Sequence, residues 1–240
     1  NVSAGTSMFA MVVLEKPLSK VYPEIDMVAT PDGKPVAMVH VNTCTSDLDA
    51  WVKLFAQLLE AAGANLTKAQ LYDMLYFQAL EGDADCGGLV SYNCYSGEPV
   101  TGLEEGRPLL VRQPENKLTL PNFMRAQLYA AMATLQIGME LLWAEDVQVE
   151  KLYGHGGLFK TKGVGQRLLA GALGLPVAVM ETAGEGGPWG MALLAAYRKN
   201  RAQGETLPQY LEQRVFAGAA GDCVEPNPAD REGFQRYIAR

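Results

Sequence analysis

The 240-residue sequence predicts an α/β domain built on a mixed sheet with helices on both faces. Strand-forming runs broken by an Asp-Gly turn occupy the first forty residues. The apolar period then lengthens to that of helices, and from residue 121 helices alternate with short apolar strands, each strand ending in a glycine-rich turn.

Taken in order, residues 2–14 are rich in small and β-preferring side chains. Residues 28–30 and 36–41 flank Pro31-Asp32-Gly33-Lys34, and Asp-Gly between two apolar runs signals a hairpin. About three consecutive antiparallel strands are expected. Ser46 and Asp47 then offer a cap for a helix whose apolar face carries Leu48, Trp51, Val52, Phe55, Leu58 and Leu59, with Gly63 as its stop. A second helix over 67–80 has Leu71, Met74, Leu75 and Ala79 on one side. Glycines and Pro108 break up residues 81–120, leaving a short buried strand near 89–92. Residues 121–143 form a long helix with Phe123, Leu128, Met132, Leu135, Met139 and Leu142 spaced for burial. A strand at 151–153, a helix at 163–173, a strand at 177–180 and a helix at 189–200 come next, and the last forty residues read as helix, polar loop and short helix. Three antiparallel strands followed by βαβα is the order of a ribonuclease-H-like domain, the unit doubled in actin-like ATPases.

Composition narrows the function classes. A net charge of −7 provides no basic stripe for nucleic acid. No apolar run reaches the roughly 20 residues of a membrane span. The mildly apolar first fifteen residues lack a basic region before them, so no signal peptide is expected. Four cysteines without a CxxC spacing and two histidines do not fit a zinc site. A cytoplasmic protein with free thiols and no metal ligands of its own is the expectation.

Three turns offer chemistry. Ala4-Gly5-Thr6-Ser7, in or between the first strands, presents backbone N–H groups and two hydroxyls that suit a phosphate. Taken alone, it also reads as a bulge with its hydroxyls in solvent. Gly154-His155-Gly156-Gly157-Leu158-Phe159 ends a strand and opens a helix, where glycine lets a flat ring or a phosphate approach the backbone. The competing reading is a connector that uses glycine for sterics, with His155 structural. Ala183-Gly184-Glu185-Gly186-Gly187-Pro188-Trp189-Gly190 repeats the device after the next strand, and Gly190 reads as a site of close helix packing.

Together these segments resemble the C-terminal, nucleotide-binding domain of the FGGY carbohydrate kinases. Residues 2–7 resemble its phosphate motif, and Tyr95-Ser96-Gly97-Glu98-Pro99 its Ser-Gly-Glu segment. Gly156-Gly157-Leu158 resembles its adenosine motif, and the run from Thr182 to Ala192 its closing helix start. The resemblance spans essentially the whole of 1–240, with xylulokinase- and ribulokinase-like members the most similar subgroup. It implies two actin-like domains about a cleft, ATP with Mg2+, and transfer of the γ-phosphoryl to a hydroxyl of a ketose or polyol. Gly5, Thr6 and Ser7 would then face the β- and γ-phosphates. Gly156, Gly157 and Leu158 would line the adenosine, Lys162 would contact the adenine, and Ser96 and Glu98 would lie near the cleft on the phosphate side. The resemblance also implies that the sugar is read by a domain preceding residue 1 and that the catalytic aspartate lies in a Gly-Asp segment just upstream of the Gly-Thr-Ser turn; Asp26, Asp32 and Asp47 do not match that base. The chain alone is thus expected to be inactive, with a homodimer among its possible states. Two other classes stay open on the sequence: an actin-like ATPase or regulatory module without sugar chemistry, and a module dimerising through the helix of residues 121–143.

Overall fold

The computed structural model describes residues 1–181, 184, 186–218 and 221–240. The opening strand run is cut in two: β1 (Val2–Ala4) and β2 (Met8–Val13) pair antiparallel, Ala4 opposite Met8, so Gly5, Thr6 and Ser7 form the turn between them. β3 (Ile25–Ala29) and β4 (Pro35–Val41) make the expected hairpin, closed by Gly33 at φ +88° with its N–H on the Thr30 carbonyl at 2.9 Å. The first strands therefore number four rather than three.

Helix α1 (Ser46–Ala61) is not capped by Asp47 as expected. The residue in the cap position is Thr45, and its hydroxyl is engaged elsewhere, on the Gly5 carbonyl at 2.9 Å. Asp47 instead lies buried in the first turn, where its carboxylate accepts from the Trp51 indole at 3.3 Å. Leu48 and Val52 are buried, but Leu58 points outward at 65% exposure. Helix α2 (Lys68–Glu81) starts from a capping box, Thr67 and Gln70 each satisfying the other's backbone N–H. Within the turn-rich stretch, β5 (Val90–Tyr92) pairs with β6 (Leu109–Val111) as a two-stranded ribbon. No alternation announces β6, whose two outer residues are exposed.

Helix α3 (Leu120–Ala144), capped by Thr119, is the centre of the core. All six of its predicted apolar positions are buried, each contributing about 1.5–3 kcal/mol on going from water to the interior. At Gly138 a Cβ would collide with the Val39 side chain, so α3 lies directly on β4. Leu120 and Ile137 are the large apolar residues of α3 that remain exposed.

After β7 (Leu152–His155) come α4 (Val164–Leu173), β8 (Val177–Val179), α5 (Gly186–Asn200), α6 (Leu207–Tyr210), β9 (Asp222–Val224) and α7 (Pro228–Ile238). Seven strands form one sheet in the order β3-β4-β2-β1-β7-β8-β9. β7 is parallel to both β1 and β8, while β9 adds antiparallel to β8. β9 is unpredicted because three residues, the first a charged aspartate, carry no strand period.

Val2, Ala4, Met8, Ala10, Val39 and Val41 face α3 and the core. α7 is fixed by a buried ionic node: Asp230, 2% exposed, accepts from Arg125 of α3 and, at 2.7 Å, from Arg167 of α4. On the other face, Phe9 stacks on His40 with centroids 4.3 Å apart. α5 starts on that face, because a Cβ on Gly186 would lie 2.8 Å from His155 Nδ1. Among the described residues a Cβ on Gly190 would meet nothing within 4 Å, so they do not supply the close packing expected there. Thr182, Ala183 and Glu185 of the same motif lie outside the described residues.

Candidate functional site

Strand order brings together two turns that are 150 residues apart. β1 and β7 are parallel neighbours, Val2 opposite Gly154 and Ser3 opposite His155. The turns leaving these two strands therefore emerge side by side at the carboxyl edge of the sheet, where ligands of α/β folds bind. Gly5-Thr6-Ser7 and Gly156-Gly157 meet there, and the contact is tight. Gly156 has φ +101°, and a Cβ on it would overlap the Ala4 carbonyl, lying 2.9 Å from its carbon. Gly157 differs: its φ is ordinary and a Cβ would meet only the Ala4 oxygen, at 3.9 Å. Gly154 makes room for Phe159, whose ring would come within 2.6 Å of a Cβ.

The turn of residues 5–7 is pinned by the segment leaving β4. Cys44 N–H donates to the Thr6 carbonyl at 2.8 Å, and the N–H and hydroxyl of Thr45 both reach the Gly5 carbonyl, at 3.2 and 2.9 Å. Within the turn, the Gly5 N–H folds back onto the Ser7 carbonyl at 2.9 Å. The N–H groups of Thr6 and Ser7 find no acceptor among the described residues, and Thr6 is exposed. Two backbone donors and the Thr6 hydroxyl are thus left without partners among the described residues, an arrangement suited to an anion. The Ser7 hydroxyl is different from expectation: it donates to the Asn42 carbonyl at 3.1 Å and presents lone pairs rather than its proton.

A cleft of about 510 Å³ opens beside Gly156, between Phe159, Lys160 and Lys162 on one side and Met180, Glu181 and Asp222 on the other. Gln166 forms its inner wall, buried, its amide donating to the Asp222 carbonyl at 2.8 Å. Lys162, 87% exposed, stands at the rim in an ion pair with Asp222 at 3.3 Å. Leu158 is 2% exposed with its side chain in the core, and it is not among the residues that line the cleft. The His155 imidazole is half-buried, and burial lowers its pKa. A wider hollow of about 930 Å³ lies away from these turns, between Asp32 and Lys34 of the β3–β4 turn and residues 197–208.

The Ser96-Gly97-Glu98 segment reaches the same edge. Glu98 is 1% exposed, and its Oε2 accepts from the Asn42 N–H at 2.8 Å while the Asn42 side-chain amide donates to the Gly97 carbonyl. Burial pushes the Glu98 carboxyl above its ordinary pKa. Its other oxygen, Oε1, is buried without a well-formed bond among the described residues. Gly97 is required by packing, since a Cβ would lie 2.5 Å from the Glu104 carbonyl oxygen. Asn42, Thr43 and Thr45, which fasten the site, are absent from the sequence-predicted set. The available signal was the run Asn42-Thr43-Cys44-Thr45-Ser46, small polar residues at the end of an apolar strand.

Residues 1–198 match the family model described as the FGGY family of carbohydrate kinases, C-terminal domain. No curated protein sequence matches the chain. Among solved structures, the xylulose kinase of Rhodospirillum rubrum superposes with a TM-score of 0.73 at 18% identity, over 99% of this chain and 44% of that one. A gluconate kinase of Lactobacillus acidophilus gives 0.70 at 18% identity, over 99% and 45%. The glycerol kinase of Plasmodium falciparum, solved with ADP, gives 0.69 at 12% identity, again over 99% and 45%. The chain thus spans less than half the length of these proteins, and at such identities their likeness establishes the actin-like fold. With the family model covering more than four-fifths of its length, the chain belongs to the FGGY family of carbohydrate kinases.

Proposed function

We propose that this chain is the nucleotide-binding half of an ATP-dependent sugar kinase, one that moves the γ-phosphoryl of ATP to a hydroxyl of a xylulose- or ribulose-like ketose or of a polyol. The observation that carries this reading is the meeting of the Gly5-Thr6-Ser7 and Gly156-Gly157 turns at the ends of two parallel strands, beside a cleft of about 510 Å³. The cleft and the flat backbone at Gly156 and Gly157 suit an adenosine. The N–H groups of Thr6 and Ser7, with the Thr6 hydroxyl, suit the β- and γ-phosphates. Leu158 supports the turn from the core, and Lys162 stands at the rim where it can reach the edge of a base.

ATP binds as its Mg2+ complex, and the cation neutralises charge on the phosphates. We assign that ion mainly to the phosphates and water. Phosphoryl transfer calls for positioning and charge stabilisation, plus a carboxylate to take the hydroxyl proton. We assign that carboxylate to a segment just upstream of the Gly5-Thr6-Ser7 turn, and the sugar site to a separate domain. Acidic groups around the turns are engaged otherwise: Asp47 is bonded to Trp51, Glu98 is sealed in the interior, and Asp222 at the cleft pairs with Lys162. The 240 residues alone therefore bind nucleotide without phosphorylating sugar, in a cytoplasmic enzyme.

The test is calorimetric titration of Mg-ADP into the chain and into Gly157→Val. Saturable binding that the variant loses while keeping its fold supports the assignment. Equal binding by both places the nucleotide elsewhere, and sugar-dependent turnover by the chain alone overturns the division of labour.

A further inference from the structure

Resting on that assignment of the phosphates to residues 5–7, we propose that Glu98 is a positioning residue for the phosphate-facing turn, acting through Asn42. The segment Asn42-Thr43-Cys44-Thr45 is held from two sides. Toward the turn, the Asn42 carbonyl accepts from Ser7 Oγ at 3.1 Å, Cys44 N–H donates to Thr6, and Thr45 donates twice to Gly5. Toward residues 93–98, Asn42 N–H donates to Glu98 Oε2 at 2.8 Å and the Asn42 amide to Gly97. Thr43 adds two more bonds, its carbonyl accepting from Asn93 Nδ2 at 3.0 Å and its hydroxyl from Tyr95 N–H at 3.1 Å. One residue, Asn42, therefore has Glu98 bonded to its N–H and Ser7 to its carbonyl.

The burial of this acceptor is the informative feature. Glu98 is 1% exposed, and no cation pairs with it among the described ion pairs. Its Oε1 is buried without a well-formed bond, and the backbone N–H groups of Thr43 and Val100 also act on the carboxyl. A group retained for stability alone would not leave an oxygen so poorly matched in the interior, because burying such an atom is costly. What Glu98 does accomplish is to give the Asn42 N–H an acceptor held in the interior, where water does not compete for the bond. The rigid setting of the Ser96–Glu98 stretch, with Gly97 pressed on the Glu104 carbonyl, keeps that anchor from following the turn. Glu98 thereby sets where the Thr6 and Ser7 N–H groups point, without touching the ligand itself.

The test compares wild type with Glu98→Leu, which removes the acceptor, Glu98→Asp, which retracts it by one methylene, and Glu98→Gln, which keeps an acceptor of the same reach. Hydrogen exchange of the ligand-free chain is read at the amides of Cys44 and Thr45, which bond the turn, against amides within β2. Mg-ADP and adenosine are titrated in parallel. Expected in Glu98→Leu and Glu98→Asp are at least tenfold faster exchange at Cys44 and Thr45 with β2 unchanged. ADP affinity should fall about tenfold and adenosine affinity stay the same, with Glu98→Gln close to wild type. Should Glu98→Leu fail to fold, Glu98→Asp decides. Unchanged exchange at Cys44 and Thr45, or equal losses for ADP and adenosine, overturns the positioning role. Wild type that binds neither ligand defeats the nucleotide assignment instead, and the exchange data still decide whether Glu98 holds the turn.

Discussion

Two adjacent glycines at the site owe their place to different causes, and substituting each by alanine separates them. Gly156 sits at φ +101° and ψ −171°, a region reserved for glycine, which costs another residue about 1–3 kcal/mol. Its Cβ would also overlap the Ala4 carbonyl, and relieving such an overlap by shifting a packed strand costs about 1–3 kcal/mol more. The narrowed unfolded ensemble of alanine returns about 0.4–1 kcal/mol. Gly156→Ala should therefore lose about 3 kcal/mol, which for a chain of this length lowers Tm by about 6–12 °C. Gly157 has neither a positive φ nor a neighbour closer than 3.9 Å, so Gly157→Ala should hold Tm to within about 2 °C. Calorimetric melts of wild type and the two variants at pH 7 make the comparison. Gly156→Ala melting within about 2 °C of wild type, or both variants falling alike, would refute the reasoning; only the contrast distinguishes a backbone collision from a loosely tolerant turn.

Asp230→Ala strands Arg125, 1% exposed, without its counter-ion and should cost about 3–5 kcal/mol in urea unfolding, whereas Arg167→Ala, at the partly exposed end of the same node, should cost no more than about 1 kcal/mol. Burial raises the Glu98 carboxyl, so its contribution is fully present below the ordinary value of 4.5 and is lost as pH rises through the raised value. Glu98→Gln should thus gain stability relative to wild type between pH 4 and pH 8, and a difference in urea midpoints independent of pH would exclude this. Glu145 runs the other way: hydrogen bonds from Ser19 and Tyr22 hold its carboxyl down to about 2, so its contribution is present above 4.5 and lost as pH falls toward 2. The stability gap between wild type and Glu145→Gln should close over that fall, as urea midpoints at pH 6 and pH 2.5 would show.

Helices and the core were legible where period and length reinforced each other. The six apolar positions of α3 were readable because a 25-residue helix repeats its signal over about seven turns. β9 was not, since three residues ending an irregular stretch pair only because β8 offers an open edge. The split of the first strand was half-visible: small residues at Gly5 and Ser7 mark a turn, but a bulge in one strand has the same composition. Asp47 shows a subtler limit. Sequence places a capping residue near the start of α1, yet the Thr45 hydroxyl and the Asp47 carboxylate are both drawn to tertiary partners, Gly5 and Trp51, which local rules do not contain.

Neither turn specifies the site alone. Ser7 looks like a phosphate donor in sequence, but its proton belongs to Asn42, and the remaining donors are backbone groups that every residue except proline possesses. What makes those groups a site is the register of β1 on β7, which presses Gly156 against Ala4 and so joins the adenosine side of the cleft to the phosphate side through one carbonyl. A substitution at Gly156 should then disturb both sides together, while one at Gly157 should disturb only the base. Measuring ADP and adenosine binding in Gly156→Ala and Gly157→Val tests this directly. Gly156→Ala should weaken ADP more than adenosine, because the displaced Ala4 carbonyl carries the phosphate turn with it, and Gly157→Val should weaken the two ligands equally. The reverse pattern would place the phosphates at Gly157 and leave the turn of residues 5–7 as a structural hairpin.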